Sequence, residues 1–515
     1  MQYEVIEPKI EVVGFGPKLE LLNGESITPD EFVYGASGIT YKGMTALEEL
    51  IKARKEDKDV REKMIKSLIK SAGSGHASMA TTPGFWCILQ GTSSKLVDSI
   101  FTGARFSSSL MPSGRRVPIA KENIVIPKGI AGEGEAVDTY VKASEHNIEV
   151  YEEMQKRGVP TQEASKIVQY GHFGGGFMFM PLETLISYSK MLKRIPAAIP
   201  QEGHEIISLL EKFIHENGME VVYEARKAAP REGCPNPNIF HHKGNFASSQ
   251  RDISNKTRIV SAKEINDFER IQAIDQYLEM RGISFSSPSR VESEWKNSIA
   301  ELQEIVEGFN NSVQITTFVN TPWRVWGEVK RHRTLPQVSE SIYQAVERVR
   351  RYNGRDVEAV LSVPPKVKEN SDNLKIWKEA FFNSVAAYYN LVKMGILEND
   401  AIAVIPRGIK LGVVKTFDLY NLTTGYMSLR MCNTAEPEMR AITEEERRLI
   451  VNSSEITKTI KDLLTPKCHY TGFCHEPDYK KCCGKVRGAV NWYDEDFHSR
   501  IASEREHEIR TALEV

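Results

Sequence analysis

One stretch of this chain is written twice. VYEEMQKRGVPTQEASKIV (150–168) and YYNLVKMGILENDAIAVI (388–405) share a tyrosine, a helical run, a glycine seven residues on, and an acid followed by alanine. Tyr151 pairs with Tyr388, Gly158 with Gly395, and Ala164 with Ala401. Each copy predicts a helix closed by a C-terminal glycine and followed by a second helix. In the second copy Trp377, Phe381, Val385, Tyr388 and Val392 recur at intervals of three or four, the stripe of a helix packed on a core. Two amphipathic helices can also match by chance, so further paired features must decide whether the chain is a duplication.

Between the copies lies PREGCPNPNIFHHKGNFASSQRDISNK (230–256), rich in Pro, Asn, Gly and Ser, which reads as a linker. The expected organisation is a first domain over 1–229, the linker 230–256, a second domain over 257–465, and a Cys/His-rich tail over 466–515. A length of 515 residues suits two domains. Charged residues at 26% and apolar ones at 41% place the chain among soluble globular proteins. A net charge of −2 argues against a nucleic-acid coat and leaves room for a local basic pocket. The opening MQYEVIEPKIEVVG has no apolar core of a signal peptide. No run of about 18 apolar residues exists to span a membrane. A cytoplasmic protein with neither nucleic-acid nor membrane partners is the expectation.

Cations are concentrated in EVKRHRTLPQVSESIY (328–343), directly after the apolar, aromatic run FVNTPWRVW (318–326). The order reads as a buried strand ending on Lys330, Arg331, His332 and Arg333 at a strand-to-loop junction. Burying charge costs several kcal/mol per ion unless a partner neutralises it. Acidic side chains or a phosphate would both serve, and guanidinium groups bind phosphate oxygens bidentately. An exposed loop or an ion-pair network is the competing reading.

These residues resemble the flavin-dependent thymidylate synthases. That family carries Arg-His-Arg, two free positions, Ser, one free position, Asn-Glu, one free position, Ser, one free position, Arg, behind an apolar strand that contains a proline. Here Pro322 and Val325 precede an intact Arg331-His332-Arg333, and Ser341 falls at the second serine. AIAVIP (401–406) is similar to the family's Ala-Arg-x-Val-Leu-Pro without its arginine. Leu429-Arg430 and the run Ala435 to Arg440 resemble its last helix, with Pro437 marking the first turn. In the first half Gly75-His76-Ala77-Ser78 resembles the family's Gly-His segment. GARFSSSLMPSGRR (103–116) fills the signature register with Arg105, Ser108, Ser113 and Arg115, Gly103-Ala104 standing for the first Arg-His.

The resemblance implies an α+β fold used twice, each copy an antiparallel sheet packed with helices. It implies an FAD-dependent enzyme that methylates dUMP reductively to dTMP, with methylenetetrahydrofolate giving the carbon and NADPH reloading the flavin. FAD would be held by His76, Ser78, Arg331, His332 and Arg333. The nucleotide would be held by Ser113, Arg115, Glu328, Ser341 and Arg430. A helix N-cap remains the competing reading of the serines around His76. The departures are specific: neither half keeps Asn-Glu, Tyr343 stands where the substrate arginine belongs, and Thr81 replaces the glutamate after the Gly-His segment. Composite sites that draw on both halves, in a homodimer of two-domain chains, would reconcile them. Another pyrimidine nucleotide as substrate, or a non-catalytic flavin- or nucleotide-binding protein, are the alternatives.

The tail PKCHYTGFCHEPDYKKCCGK (466–485) has no counterpart in that family. Its Cys468, Cys474, Cys482 and Cys483, with His469 and His475, suit zinc or an iron–sulfur cluster. Incidental or redox thiols are the competing reading.

Overall fold

The computed structural model describes the chain except residues 1–2, 22–23, 57–59, 90–92, 114–116, 133, 231–235, 242–256, 265–275, 277–302, 467, 469–494 and 514–515. Two four-stranded sheets organise it. In the first, β1 (Glu11–Gly16), β2 (Gly84–Ile88), β3 (Ser108–Leu110) and β4 (Phe177–Pro181) lie in the order β1-β2-β4-β3, all pairs antiparallel. In the second, β5 (Arg258–Glu264), β6 (Val313–Pro322), β7 (Gln337–Ser339) and β8 (Lys410–Phe417) repeat that order as β5-β6-β8-β7. Even the irregularities match. The outer strand of each sheet bulges at its third residue, Val13 in one and Val260 in the other, and both valines are exposed. With helices packed on both sheets, the architecture is the expected α+β one.

Four helices position the rest: α1 (Val97–Phe101), α2 (Gly134–Lys156), α3 (Trp323–Val329) and α4 (Ser371–Lys393). The long pair α2 and α4 pack on each other. The repeat read from the tyrosines is exact at their bounds. α4 begins 237 positions after α2 (371 against 134) and ends 237 after it (393 against 156). Gly158 and Gly395 each close the turn that follows with φ of 82° and 91°, a conformation that favours glycine. The short second helices come next, Thr161–Ala164 and Glu398–Ala401, at the same spacing.

The hydrogen bonds show a local twofold relation between the copies. The Gly171 amide donates to the Ala403 carbonyl at 3.1 Å, and its counterpart Gly408 donates to Lys166 at 2.6 Å. Gln169 bridges its own counterpart Pro406, and Ser384 Oγ donates to Oδ1 of its counterpart Asn147 at 2.9 Å. Residues that meet their own equivalents mark the axis.

Two compact units result, and they do not follow the expected boundaries. The first unit comprises 1–253, 322–333 and 339–411; the second comprises 254–321, 334–338 and 412–515. The twofold pairing lies wholly in the first unit, which therefore takes the α4 region from the second half. Nor does the segment 230–256 behave as a linker throughout. Ile239 and Phe240 are fully buried, and the Ile342 amide donates to the Ile239 carbonyl at 2.9 Å. Two adjacent apolar side chains thus dock the described part of this Pro- and Asn-rich stretch.

Among the described residues no helix is long and apolar enough to cross a membrane.

Candidate ligand site around the Arg-His-Arg segment

Strand β6 ends at Pro322, and the chain turns at once into α3. The Arg-His-Arg segment therefore follows a helix, not the end of a strand. The start of α3 is tied down by backbone bonds: Trp323 N–H to the Ile409 carbonyl at 2.8 Å and Arg324 N–H to the Arg407 carbonyl at 2.9 Å. These satisfy amides that a helix leaves unpaired at its first turn. Trp323, Val325, Trp326 and Val329 are buried. Trp323 donates Nε1–H to Ser99 Oγ at 2.9 Å and lies 4.4 Å, centre to centre, from Tyr170.

Lys330, Arg331 and His332 extend the last turn of α3, their amides donating to Trp326, Glu328 and Val329 carbonyls. Cations at a helix C-terminus complement its dipole, typically by 0.3–1 kcal/mol. Their side chains part company. Lys330 is buried, with its ammonium on the Asp98 carbonyl and 5.0 Å from the Trp326 ring. Arg333 is half-buried and donates Nε–H to the Ala104 carbonyl at 2.9 Å. Arg331 is exposed, and its guanidinium has no ion-pair partner among the described residues.

Further cations surround this turn. Lys95 is buried, paired with the Asp98 carboxylate, and donates to the Pro112 carbonyl at 2.7 Å. Arg324 is buried and reaches Glu328 at 3.3 Å, leaving its Nε without a partner. Arg407 is buried over the Tyr170 ring and donates to the Val168 and Ser165 carbonyls at 3.2 and 3.0 Å. Several of these cations bond backbone carbonyls, which satisfy hydrogen bonds without cancelling charge.

The electrostatic consequences follow. Burial holds Lys330 well below its usual value; Asp98 opposes this, while Arg331 and Lys95 add repulsion. Burial lowers Lys95 in the same way, against its bond to Asp98 and with Arg407 and Arg331 adding to the fall. Burial brings Arg407 down to about 10. Burial also holds His172 well below the usual imidazole value, with Arg407 and Lys95 reinforcing it. A cluster whose cations repel one another in a low-dielectric setting is relieved by an anion.

The remaining predicted residues are scattered. Gly75 takes φ of 97° and turns the chain before His76 and Ser78, both of which are exposed. Ser78 does not cap the turn Ser78–Thr81; Ala77 stands at that position. Among the described residues, the hydrogen bonds of Ser78 are local, its carbonyl accepting from the Thr81 and Thr82 hydroxyls. Ser113 is half-buried, and Arg115 lies outside the described residues. Glu328 is ion-paired with Arg324. Ser341 is fully buried at the start of the helix Ile342–Arg350, its hydroxyl unpartnered, and Tyr343 donates its hydroxyl to the Ala198 carbonyl. Arg430 is half-buried in the second unit. Of the tail cysteines Cys468 is half-buried, while Cys474, Cys482 and Cys483 lie outside the described residues; among those described, no group of His, Cys, Asp or Glu could hold a metal ion.

The sequence model of the family described as "Thymidylate synthase complementing protein" matches residues 22–192 and again 293–453, more than half of the chain. The chain belongs to this family. The double match fits a tandem duplication of the family domain. Among its relatives, the flavin-dependent thymidylate synthase of Thermococcus onnurineus (strain NA1) is 27% identical over 150 residues, which are 29% of this chain and 59% of that protein. That of Saccharolobus solfataricus (strain ATCC 35092 / DSM 1617 / JCM 11322 / P2) is 40% identical over 85 residues, 16% of this chain and 30% of that one. The chain thus matches less than two thirds of the length of these curated relatives. Among solved structures, the UMP/dUMP methylase PolB from Streptomyces cacaoi bound with 5-Br dUMP aligns with a TM-score of 0.34 at 13% identity, over 45% of this chain and 100% of that one. The flavin-dependent thymidylate synthase ThyX from Helicobacter pylori, complexed with FAD and dUMP, aligns with a TM-score of 0.27 at 13% identity, over 41% and 100%.

Lys95, Asp98, Arg324, Tyr170 and Arg407 escaped the sequence reading, which noted Lys330 as one of a run of cations. A signal was present: Lys95 and Asp98 sit one helical turn apart in an apolar run, and Arg407 follows AIAVIP, the stretch noted for lacking an arginine.

Proposed function

We propose that this family member is a flavoenzyme that binds the phosphates of FAD at the Arg331–Arg333 turn and methylates dUMP reductively. Methylenetetrahydrofolate would be the carbon donor and NADPH the reductant. The observation that carries the reading is the exposed Arg331, without an ion-pair partner among the described residues, at the mouth of a buried cationic cluster. A pyrophosphate fits that charge. FAD, when bound, supplies the hydride chemistry. The chain's residues position it: Arg331 offers a bidentate donor pair, and Arg333, tethered to Ala104, offers its remaining N–H groups. The exposed His76 and Ser78 fit a site completed by a second copy of the chain, as does Arg430 in the second unit. A homodimer is the assembly this reading needs.

The sealed Ser341 and the bonded Tyr343 favour a second reading, in which the second half no longer holds dUMP. The nucleotide would then be a different pyrimidine, or catalysis would be absent. Tritium release from dUMP labelled at C5, dependent on methylenetetrahydrofolate and reductant, separates the two. Release supports the first reading; FAD uptake without release supports the second. A protein that takes up no FAD contradicts both.

A further inference from the structure

The first half keeps the signature register but has lost its Arg-His to Gly103 and Ala104. The structure shows what occupies that space. A Cβ on Gly103 would meet the Cδ, Cβ and Cγ of Lys330 at 3.3 to 3.5 Å. The Lys330 ammonium ends on the Asp98 carbonyl, Arg333 on the Ala104 carbonyl, and Trp323 on Ser99. Segment 98–104 of the first half thus receives the second half's α3 and the turn after it. An arginine at 103 would put its own stem and charge where Lys330 lies.

We propose that the first half's signature segment is the socket that fixes the Arg-His-Arg turn of the second half, with Lys330 as the positioning residue and Gly103 as the place it fills. The inference rests on the reading that Arg331 and Arg333 hold an anion. Their guanidinium groups sit one and three residues from a side chain anchored in a different segment, so the turn cannot swing without withdrawing Lys330. Direct contact with the anion is not what Lys330 contributes, because its buried ammonium is taken by the Asp98 carbonyl. Orientation of the exposed Arg331 is.

Two measurements on the full chain test this. The first is limited trypsin digestion. The wild-type turn should resist cutting after Arg331 and Arg333, whereas Lys330→Met should be cut there about tenfold faster relative to other sites, since local opening exposes the turn. Leu185→Ala, a core change elsewhere in the first unit, should raise cutting at all sites together. Should Lys330→Met fail to fold, Gly103→Ala presses on the Lys330 stem by only a few tenths of an ångström and should shift the ratio in the same direction. The second is FAD titration, where Lys330→Met should raise Kd about tenfold, one charge-assisted hydrogen bond's worth. An unchanged cutting ratio overturns the socket whether or not flavin binds. A loosened turn with unchanged FAD affinity overturns the positioning role. A wild-type protein that takes up no FAD defeats the functional reading and leaves the socket to the digestion alone.

Discussion

At one register the two sheets carry opposite solutions to the same packing problem. Met178 on β4 is buried, and its counterpart 237 positions on is Lys415 on β8, equally buried. Lys415 pairs with Glu446 at 2.6 Å, both side chains inaccessible, and Thr317 adds a hydroxyl to that carboxylate. Glu446 in turn stands where the first half has the buried Leu210, its helix Pro437–Val451 beginning 236 positions after Gln201–Glu216. The outer faces differ too: Trp86, Phe177, Phe179 and Leu110 in the first sheet against Gln314, Thr316, Ser261 and Lys263 in the second. The shared strand order shows that neither choice is required by the fold. Each half has kept the frame and rewritten what the frame presents.

The buried pair gives the largest expected effect. Lys415→Met leaves the Glu446 charge without its partner and should cost about 3–5 kcal/mol of stability in urea unfolding. Glu446→Leu added to it restores the first half's Met/Leu combination and should recover most of the loss, because hydrophobic replacement of a whole buried pair is often neutral. A double variant as unstable as the single one would break the equivalence of the two registers.

A second contrast is electrostatic. Glu202 is buried and accepts from the Ser94 amide and hydroxyl; the helix Pro437–Val451 begins 236 positions after the helix Gln201–Glu216 and places the half-buried Glu438 there. Burial pushes Glu202 up to about 7 from 4.5. The folded chain therefore holds a proton that the unfolded chain has released, so stability is greatest below pH 4.5 for this group and falls as pH rises to about 7. The contribution is at most on the order of 3 kcal/mol. Asp30, raised to about 7 by burial, adds a fall of the same sign. Urea midpoints between pH 5 and 8 should decline, and Glu202→Gln should flatten the part due to Glu202. An unchanged pH slope in that variant would show that Glu202 is not the source.

The third contrast is functional. Arg331→Ala should weaken FAD binding about 100-fold, the loss expected for charge-assisted bonds to phosphate. Arg105, at the signature place of Arg333, is exposed and, among the described residues, is tied through its amide to Asn236 at 3.3 Å. Its alanine variant should change FAD affinity by less than about threefold, the range of an exposed charge. Equal losses would mean that both halves still hold flavin.

Why some of this was readable in the sequence and some was not has a physical answer. The α2/α4 pair was readable because Gly158 and Gly395 are held at positive φ, and because a stripe from Trp377 to Tyr388 has the helical period. The α3 helix was not. Trp323, Val325 and Trp326 are buried, but so are the strand residues before them, so no change of period marks where β6 stops. Pro322 was noted as a strand residue, and it serves as the N-cap of the helix. The Lys330 socket was hidden because it joins positions more than two hundred residues apart, and a lysine beside two arginines reads as surface.

The smallest prediction tests where the halves have not diverged. Gly158 and Gly395 follow equivalent helices in equivalent turns, and neither has a close neighbour: Lys366 Nζ lies 3.6 Å from a Cβ at 158, and nothing lies within 4 Å at 395. An alanine at either place meets no steric clash and is penalised only for its backbone conformation, about 1–2 kcal/mol. Lys366 also donates to the Gly158 carbonyl at 2.8 Å, but that bond is to the backbone and survives the substitution. Gly158→Ala and Gly395→Ala should therefore destabilise by the same amount to within about 0.5 kcal/mol. The comparison is sharper than either value, since the α2 and α4 copies share one compact unit and one unfolding transition reports on both. A large inequality would place an unequal load on the two turns and would mean that the local twofold relation, regular in its hydrogen bonds, is not regular in energy.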